Sequence, residues 1–147
     1  MLPYLFLING GDFVNREIKY KAWLKDAKCF AEIRHISFFE GKTVVKIYDQ
    51  PMSEEVWFDL EDLELLQYIG LKDKNGVEIY EGDIVENGNG KVGYIVFLIQ
   101  EAGFVVVLKD RDYRLGHRNT GEGYNMADNH KVIGNIYENP ELLEATK

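Results

Sequence analysis

The chain has 147 residues, a formal net charge of −8 and an apolar share of 46%, with only three prolines. This length fits one compact domain, and the composition indicates a folded chain rather than a disordered one. The acidic balance argues against a duplex-binding surface, which usually carries a basic stripe. A single cysteine, Cys29, excludes an intramolecular disulfide and an all-cysteine metal site, and we interpret it as a small core side chain beside Phe30.

Residues 1–15 precede the regular pattern and form an N-terminal extension. Their apolar run, LPYLFLI at residues 2–8, has neither a basic leader nor a small-residue cleavage site. No stretch of the chain reaches the ~20 apolar residues of a membrane helix. We therefore predict a cytoplasmic protein without membrane contact, in which the apolar run adds an edge strand or reaches a neighbouring copy.

Residues 16–64 are predicted to form an N-terminal sheet region. Polar and apolar residues alternate in its first strand, which is the period of a half-buried strand. Two β-rich runs then flank Glu40-Gly41, a pattern that favours a hairpin. The predicted elements are a strand at 17–22, the hairpin of 35–39 and 42–48, a loop at 49–53 and one helical turn at 59–63.

Acidic side chains are concentrated around Trp57 and Phe58. A solvated face is the ordinary interpretation of such a run. Two more specific interpretations are a contact for a basic partner and a mimic of DNA charge that occupies a host nucleic-acid-binding protein. The acidic residues are Glu54, Glu55, Asp59, Glu61, Asp62 and Glu64.

Residues 65–85 read LLQYIGLKDKNGVEIYEGDIV and combine strands with turn chemistry. A strand is predicted at 65–71, followed by a turn at 73–76, because Asp binds backbone amides and Asn-Gly tolerates positive φ. A second turn precedes the next strand. We predict positive φ at Gly76 and Gly82 and side-chain caps at Asp73 and Asp83.

Two further strands are predicted by β-rich runs between glycine-containing turns. Short twisted strands at such intervals are typical of small closed or half-closed barrels. We therefore predict an SH3-like barrel at 81–137, within a barrel-like core at 65–138. Its strands are expected at 93–99, 104–108 and 131–137, with turns at 88–90 and 101–103.

A short helix is predicted within the C-terminal residues 139–147. Asn139 is a good N-cap, Pro140 suits the first helical position, and Glu141 favours the positive end of the helix dipole. The helix should end near Glu144 and leave a short tail. The fold class expected is thus mainly β, a small sheet region followed by the barrel and this helix.

Three blocks of the chain resemble the YopX family, in the family's order. The central block is the signature at 65–85, and the others are REIKYKAW at 16–23 and VIGNIYENPELLE at 132–144. The resemblance implies a single YopX-like domain over 16–147, with 1–15 either an extension or the product of an early start codon. It also implies a small accessory protein of bacteriophages or prophages, and the family offers no established biochemical activity.

Several short motifs lack the context that their chemistry requires. The residues at 88–93 match G-x-G-x-x-G, but a β-rich run follows instead of a helix, so a hairpin turn is the better interpretation. Gly41-Lys42-Thr43 lacks the first glycine of a phosphate-binding loop, since Ile36 stands there. A calcium loop starting at Asp73 would need Glu where Ile84 stands. We expect no bound cofactor.

Residues 109–129 form a long polar segment, and such loops are often functional or disordered. A solvated loop is the ordinary interpretation, and we expect no catalytic or metal-binding residues. One rival is a metal-dependent, nuclease-like enzyme that uses this loop. Its candidate residues are His117, Arg118, Asn125, Asp128 and His130.

A second rival is nucleic-acid binding through the barrel, which would need Lys91, Lys109, Arg111 and Arg114 on one face. The interpretation that we favour is a non-enzymatic protein that binds an unknown protein of the host or the phage. Nucleic acid is a poor partner for so acidic a chain, and a homo-oligomer is expected because small sheets leave edges that must be covered.

The extension predicts how the chain assembles. If residues 1–12 bury their apolar side chains on a neighbour, they contribute several kcal/mol at ~25 cal/mol per Å². Light scattering should then give a homo-oligomer for the full-length protein and a smaller species after deletion of 1–12. A monomer in both cases would contradict the prediction.

Overall fold

The structure is a computed structural model that describes residues 17–50, 52–108 and 130–144. Within these residues, ten strands form two antiparallel sheets, which confirms the mainly-β class. The strands of the first sheet are β1 (Tyr20–Leu24), β2 (Cys29–Phe39), β3 (Lys42–Asp49), β4 (Glu54–Asp59), β5 (Leu63–Lys72) and β6 (Glu78–Tyr80). Those of the second are β7 (Asp83–Glu86), β8 (Val92–Leu98), β9 (Gly103–Leu108) and β10 (Lys131–Asn135).

The first sheet has the order β4-β3-β2-β1-β5-β6. β1 lies near its centre, and Ala22 is paired with Ala31 on one side and with Leu65 on the other. Alternate residues of these strands form a buried core on one face, as period-two patterns require. The buried members are Ala22, Leu24, Val45, Ile47 and Leu63.

The predicted hairpin of β2 and β3 is confirmed, with Glu40 and Gly41 both at positive φ in the turn. The predicted helical turn is a 3-10 turn over Leu60–Asp62. β4 was not predicted, because acidic residues are depleted in strands. Its central residues alternate instead: Trp57 is exposed, whereas Val56 and Phe58 are half-buried.

The second sheet has the order β10-β7-β8-β9 and is open in the described part of the chain. Val85 and Ile95 of this sheet form a buried core together with Ile79 of β6 from the first sheet. The SH3-like barrel predicted at 81–137 is not shown, because these four strands do not close on themselves and β5 pairs with β1 and β6 in the first sheet. Sequence periodicity indicates where many of the strands form, but not whether a sheet closes.

The side chains of Cys29 and Asn139 are placed differently from expectation. Cys29 is exposed rather than a core side chain, because it begins β2 at the end of the ladder opposite Leu24. The helix α1 (Glu141–Glu144) forms as predicted. However, Oδ1 of Asn139 accepts the N–H of Asn135 at 3.3 Å and so points back toward β10.

Three sequence predictions lie outside the described residues. They are the edge strand at 2–8, the assembly role of residues 1–12 and the polar loop at 109–129. In the described ranges, no helix has the length and apolar character needed to cross a membrane.

Candidate functional site

The signature turn at Asp73 is closed by its own side chain. Oδ1 of Asp73 accepts the N–H groups of Asn75 at 2.8 Å and Val77 at 2.9 Å. Gly76 donates its N–H to the Asp73 carbonyl at 2.9 Å and has φ +83°. The cap and the positive φ predicted for this turn are therefore confirmed.

The same carboxylate also holds the second sheet. Oδ2 of Asp73 accepts the N–H of Val132 in β10 at 2.9 Å, and the Lys74 N–H reaches the His130 carbonyl at 3.0 Å. Burial would raise the pKa of Asp73, but the N–H donors of Val132, Val77 and Asn75 lower it below its usual value. No local sequence pattern predicts this contact, because Asp73 and Val132 are separated by 59 positions in the chain.

The second signature turn places a buried carboxyl next to the seam between the sheets. Oδ2 of Asp83 accepts the N–H of Tyr80 at 2.8 Å, as the predicted cap requires. Burial raises the pKa of Asp83 to about 6, although this N–H and the nearby Lys21 oppose the rise. Gly82 has φ +83°, and a Cβ there would lie 3.1 Å from the ring of Tyr137.

A charged and aromatic network surrounds Tyr80. Its hydroxyl donates to Oε2 of Glu78 at 3.0 Å, and the ammonium of Lys21 lies 4.2 Å from its ring centroid. Lys19 binds both Glu78 and Glu17, and these contacts raise its pKa. The hydrogen bonds from Lys19 and Tyr80 lower the pKa of Glu78.

This network has a structural consequence. Burial and the bond to Glu78 raise the pKa of Tyr80 to about 12, so the phenol stays protonated at neutral pH. Glu78 stays ionised and bound to Lys19. The contacts tie the start of the described chain to β6, and the period-two polar pattern of residues 17–21 was their only sequence signal.

A second charged surface lies at the edge of the first sheet. The acidic edge, as we name it, comprises β4 and the following 3-10 turn, and all five of its carboxylate residues are exposed. β4 is the last strand of its sheet, paired with β3 alone among the described strands. The carboxylate residues are Glu54, Glu55, Asp59, Glu61 and Asp62.

Trp57 lies in the middle of the acidic edge with half of its surface exposed, 50%. The ammonium of Lys46, on β3, lies 4.9 Å from its ring centroid and 3.2 Å from Oε2 of Glu55. On this face of β4, the ring of Trp57 and the carboxylate of Glu55 thus both contact the ammonium of Lys46. We consider this surface the candidate functional site.

The residues of the rival functions are not brought together in the described chain. His117, Arg118, Asn125 and Asp128 lie outside it, as do Lys109, Arg111 and Arg114. His130 is described and buried. Residues 17–50, 52–108 and 130–144 contain no group of three or more potential metal ligands.

The glycine motif at 88–93 leads into strand β8. A dinucleotide site would need a helix there, whose N-terminus meets the pyrophosphate. Asn87 instead organises a turn, since its Oδ1 accepts the N–H groups of Asn89 and Lys91, both at 2.9 Å. The hairpin interpretation is confirmed.

Among the described residues, two antiparallel sheets joined through the signature turns define a small mainly-β protein. The family model described as YopX protein matches residues 19–144. The chain therefore belongs to the YopX family, which confirms the resemblance of its three sequence blocks.

The fold is similar to that of a solved structure. The chain resembles protein EF1440 from Enterococcus faecalis with a TM-score of 0.57 and 26% sequence identity, over 88% of this chain and 99% of that one. No curated protein matches the chain.

Gly76→Val should lower the free energy of unfolding by about 2 kcal/mol, since a β-branched residue is strained at positive φ. The cause is the backbone alone, because a Cβ at Gly76 would meet nothing within 4 Å. Gly88→Val is the matched control, with equal space and no positive φ. Equal melting temperatures for Gly76→Val and the wild type would refute the turn assignment.

Asp83→Asn should change how stability depends on pH. The folded pKa, about 6, exceeds the ordinary value of 3.8, so the folded state binds the proton more tightly and stability falls as pH rises between these values. Asn keeps an acceptor for Tyr80 without this dependence. Relative to wild type, the variant should gain up to about 3 kcal/mol across this window.

Urea unfolding of both proteins from about pH 4 to pH 7 measures the difference. Asp59→Asn, at an exposed carboxyl, is the control. Parallel stability curves for the wild type and Asp83→Asn would contradict the assignment.

Proposed function

We propose that this protein is a non-enzymatic phage or prophage accessory protein that binds another protein through the acidic edge, in the cytoplasm of its bacterial host. Membership of the YopX family supports the phage or prophage setting. The exposed, charged strand supports binding as the mode of action. The single thiol of the chain suits a reducing compartment.

The observation that carries the proposal is the position of Trp57. An exposed aromatic side chain surrounded by charged groups resembles the apolar centre and polar rim of protein interfaces. Tryptophan is also among the residues that contribute most to such interfaces when they become buried. The surrounding carboxylates then favour a basic partner and speed its approach.

The basic partner can be a host nucleic-acid-binding protein. Such a protein already recognises regularly spaced negative charges, and five exposed carboxylates within residues 54–62 offer it a protein substitute. This specific form of the proposal predicts that DNA competes with the acidic edge for the partner.

The test is a pull-down from the bacterial host during phage growth, with the wild type and two charge-reversed variants. Glu54→Lys/Asp59→Lys alters the acidic edge at two exposed residues. Glu138→Lys/Glu144→Lys makes the same change in charge at exposed residues near α1. Circular dichroism establishes that both variants are folded.

The wild type and the α1 control should capture the same protein, and the edge variant should lose most of it. Equal capture by both variants would contradict a role for the acidic edge. Release of the captured protein by added DNA would identify a nucleic-acid-binding partner.

A further inference from the structure

β4 presents backbone hydrogen-bonding groups, as well as side chains, to a possible binding partner. It pairs with β3 over all six of its residues, from Glu54 opposite Asp49 to Asp59 opposite Val44. No described strand lies on its other side. Alternate N–H and C=O groups of β4 therefore point away from the sheet, and such a row pairs readily with an extended chain.

The two faces of β4 differ in chemistry. Phe58 pairs with Val45 and packs against the buried core. Trp57 pairs with Lys46 on the opposite face. A chain added beside β4 would thus find Val56 and Phe58 next to Glu54 on one face and Trp57 with Glu55 on the other, because side chains alternate along a strand.

Lys46 on β3 shows which kind of side chain binds to the face of β4 that carries Trp57 and Glu55. Lys46 reaches the ring of Trp57 and the carboxylate of Glu55 from the β3 side. A lysine or arginine on an added strand would approach the same two groups from the other side. Cross-strand pairs of opposite charge, and cations over tryptophan, both stabilise such pairing.

The charges of β4 argue against a second copy of the chain as the occupant. In an antiparallel pair of β4 strands centred on Trp57, Glu55 of each copy would lie opposite Asp59 of the other. Like charges placed directly opposite each other destabilise a sheet. The same carboxylates attract a basic strand, so charge selects between the two occupants.

We propose that β4 receives an extended basic segment of the partner protein, which adds a seventh strand to the first sheet. Its basic residues face Trp57 and Glu55, and its apolar residues alternate with them on the face of Phe58. This proposal rests on the proposed function and specifies both the class of partner and the mode of binding.

The test titrates the full-length protein with a peptide of about ten residues that alternates Lys and Val, a length sufficient for one strand. A Lys-Pro peptide of equal length and charge is the control, because proline removes strand hydrogen bonds. Amide hydrogen exchange, read by NMR, reports protection along β4. The Trp57 fluorescence gives the affinity, with Trp57→Phe separating it from Trp23.

The Lys-Val peptide should bind, slow exchange at alternate amides of β4, and bind at least about tenfold more tightly than the Lys-Pro peptide. Glu54→Lys/Asp59→Lys should weaken the binding by about as much, and Glu138→Lys/Glu144→Lys should leave it unchanged.

The possible failures are distinguishable. Equal binding of the two peptides, with loss in the edge variant, would overturn strand addition but leave the acidic edge as a protein-binding surface. Equal effects of the two charge reversals would overturn both proposals. Protection of β4 by a single-stranded oligonucleotide instead of the Lys-Val peptide would also overturn strand addition by a protein.

Discussion

The arrangement of the two sheets depends on the carboxylate of Asp73. One oxygen closes the turn between β5 and β6, and the other holds Val132 at the start of β10. Because β5 and β6 belong to the first sheet and β10 to the second, a single side chain couples local turn geometry to long-range packing. Three N–H donors keep it ionised despite its burial.

The other signature turn supports the same joint. The N–H of Gly82 binds the carbonyl of Ile95, and the N–H of Ile136 binds the carbonyl of Gly82, both at 2.8 Å. Trp23 packs against Tyr137, with ring centroids 5.3 Å apart. The signature block is therefore rich in Asp and Gly because it forms the junction of two sheets. The carboxylates of Asp73, Glu78 and Asp83 in this block are bound by backbone N–H groups or by neighbouring side chains.

The turns and their side-chain caps could be predicted from the sequence, whereas the closure of the sheet could not. The Asp73 and Asp83 caps and the Glu40-Gly41 hairpin follow from residue type and spacing. The described strands do not form the predicted barrel, since period-two patterns do not encode which strands pair. β4 was concealed because its acidic residues have low strand propensity, although Val56 and Phe58 alternate correctly. The candidate site was visible as charge around Trp57, but not as a sheet edge.

The position of β4 shows where much of the net negative charge of the chain is located. Residues 54–62 contain five carboxylates and no Lys or Arg, so they contribute −5 of the net −8 and the remaining 138 residues contribute only −3. The charge is thus concentrated at one edge instead of being spread for solubility. Charges on an edge strand commonly prevent unwanted pairing between copies. A single sign of charge does so while still favouring a strand of the opposite sign, so under the proposed binding mode protection and selective binding would arise from the same residues.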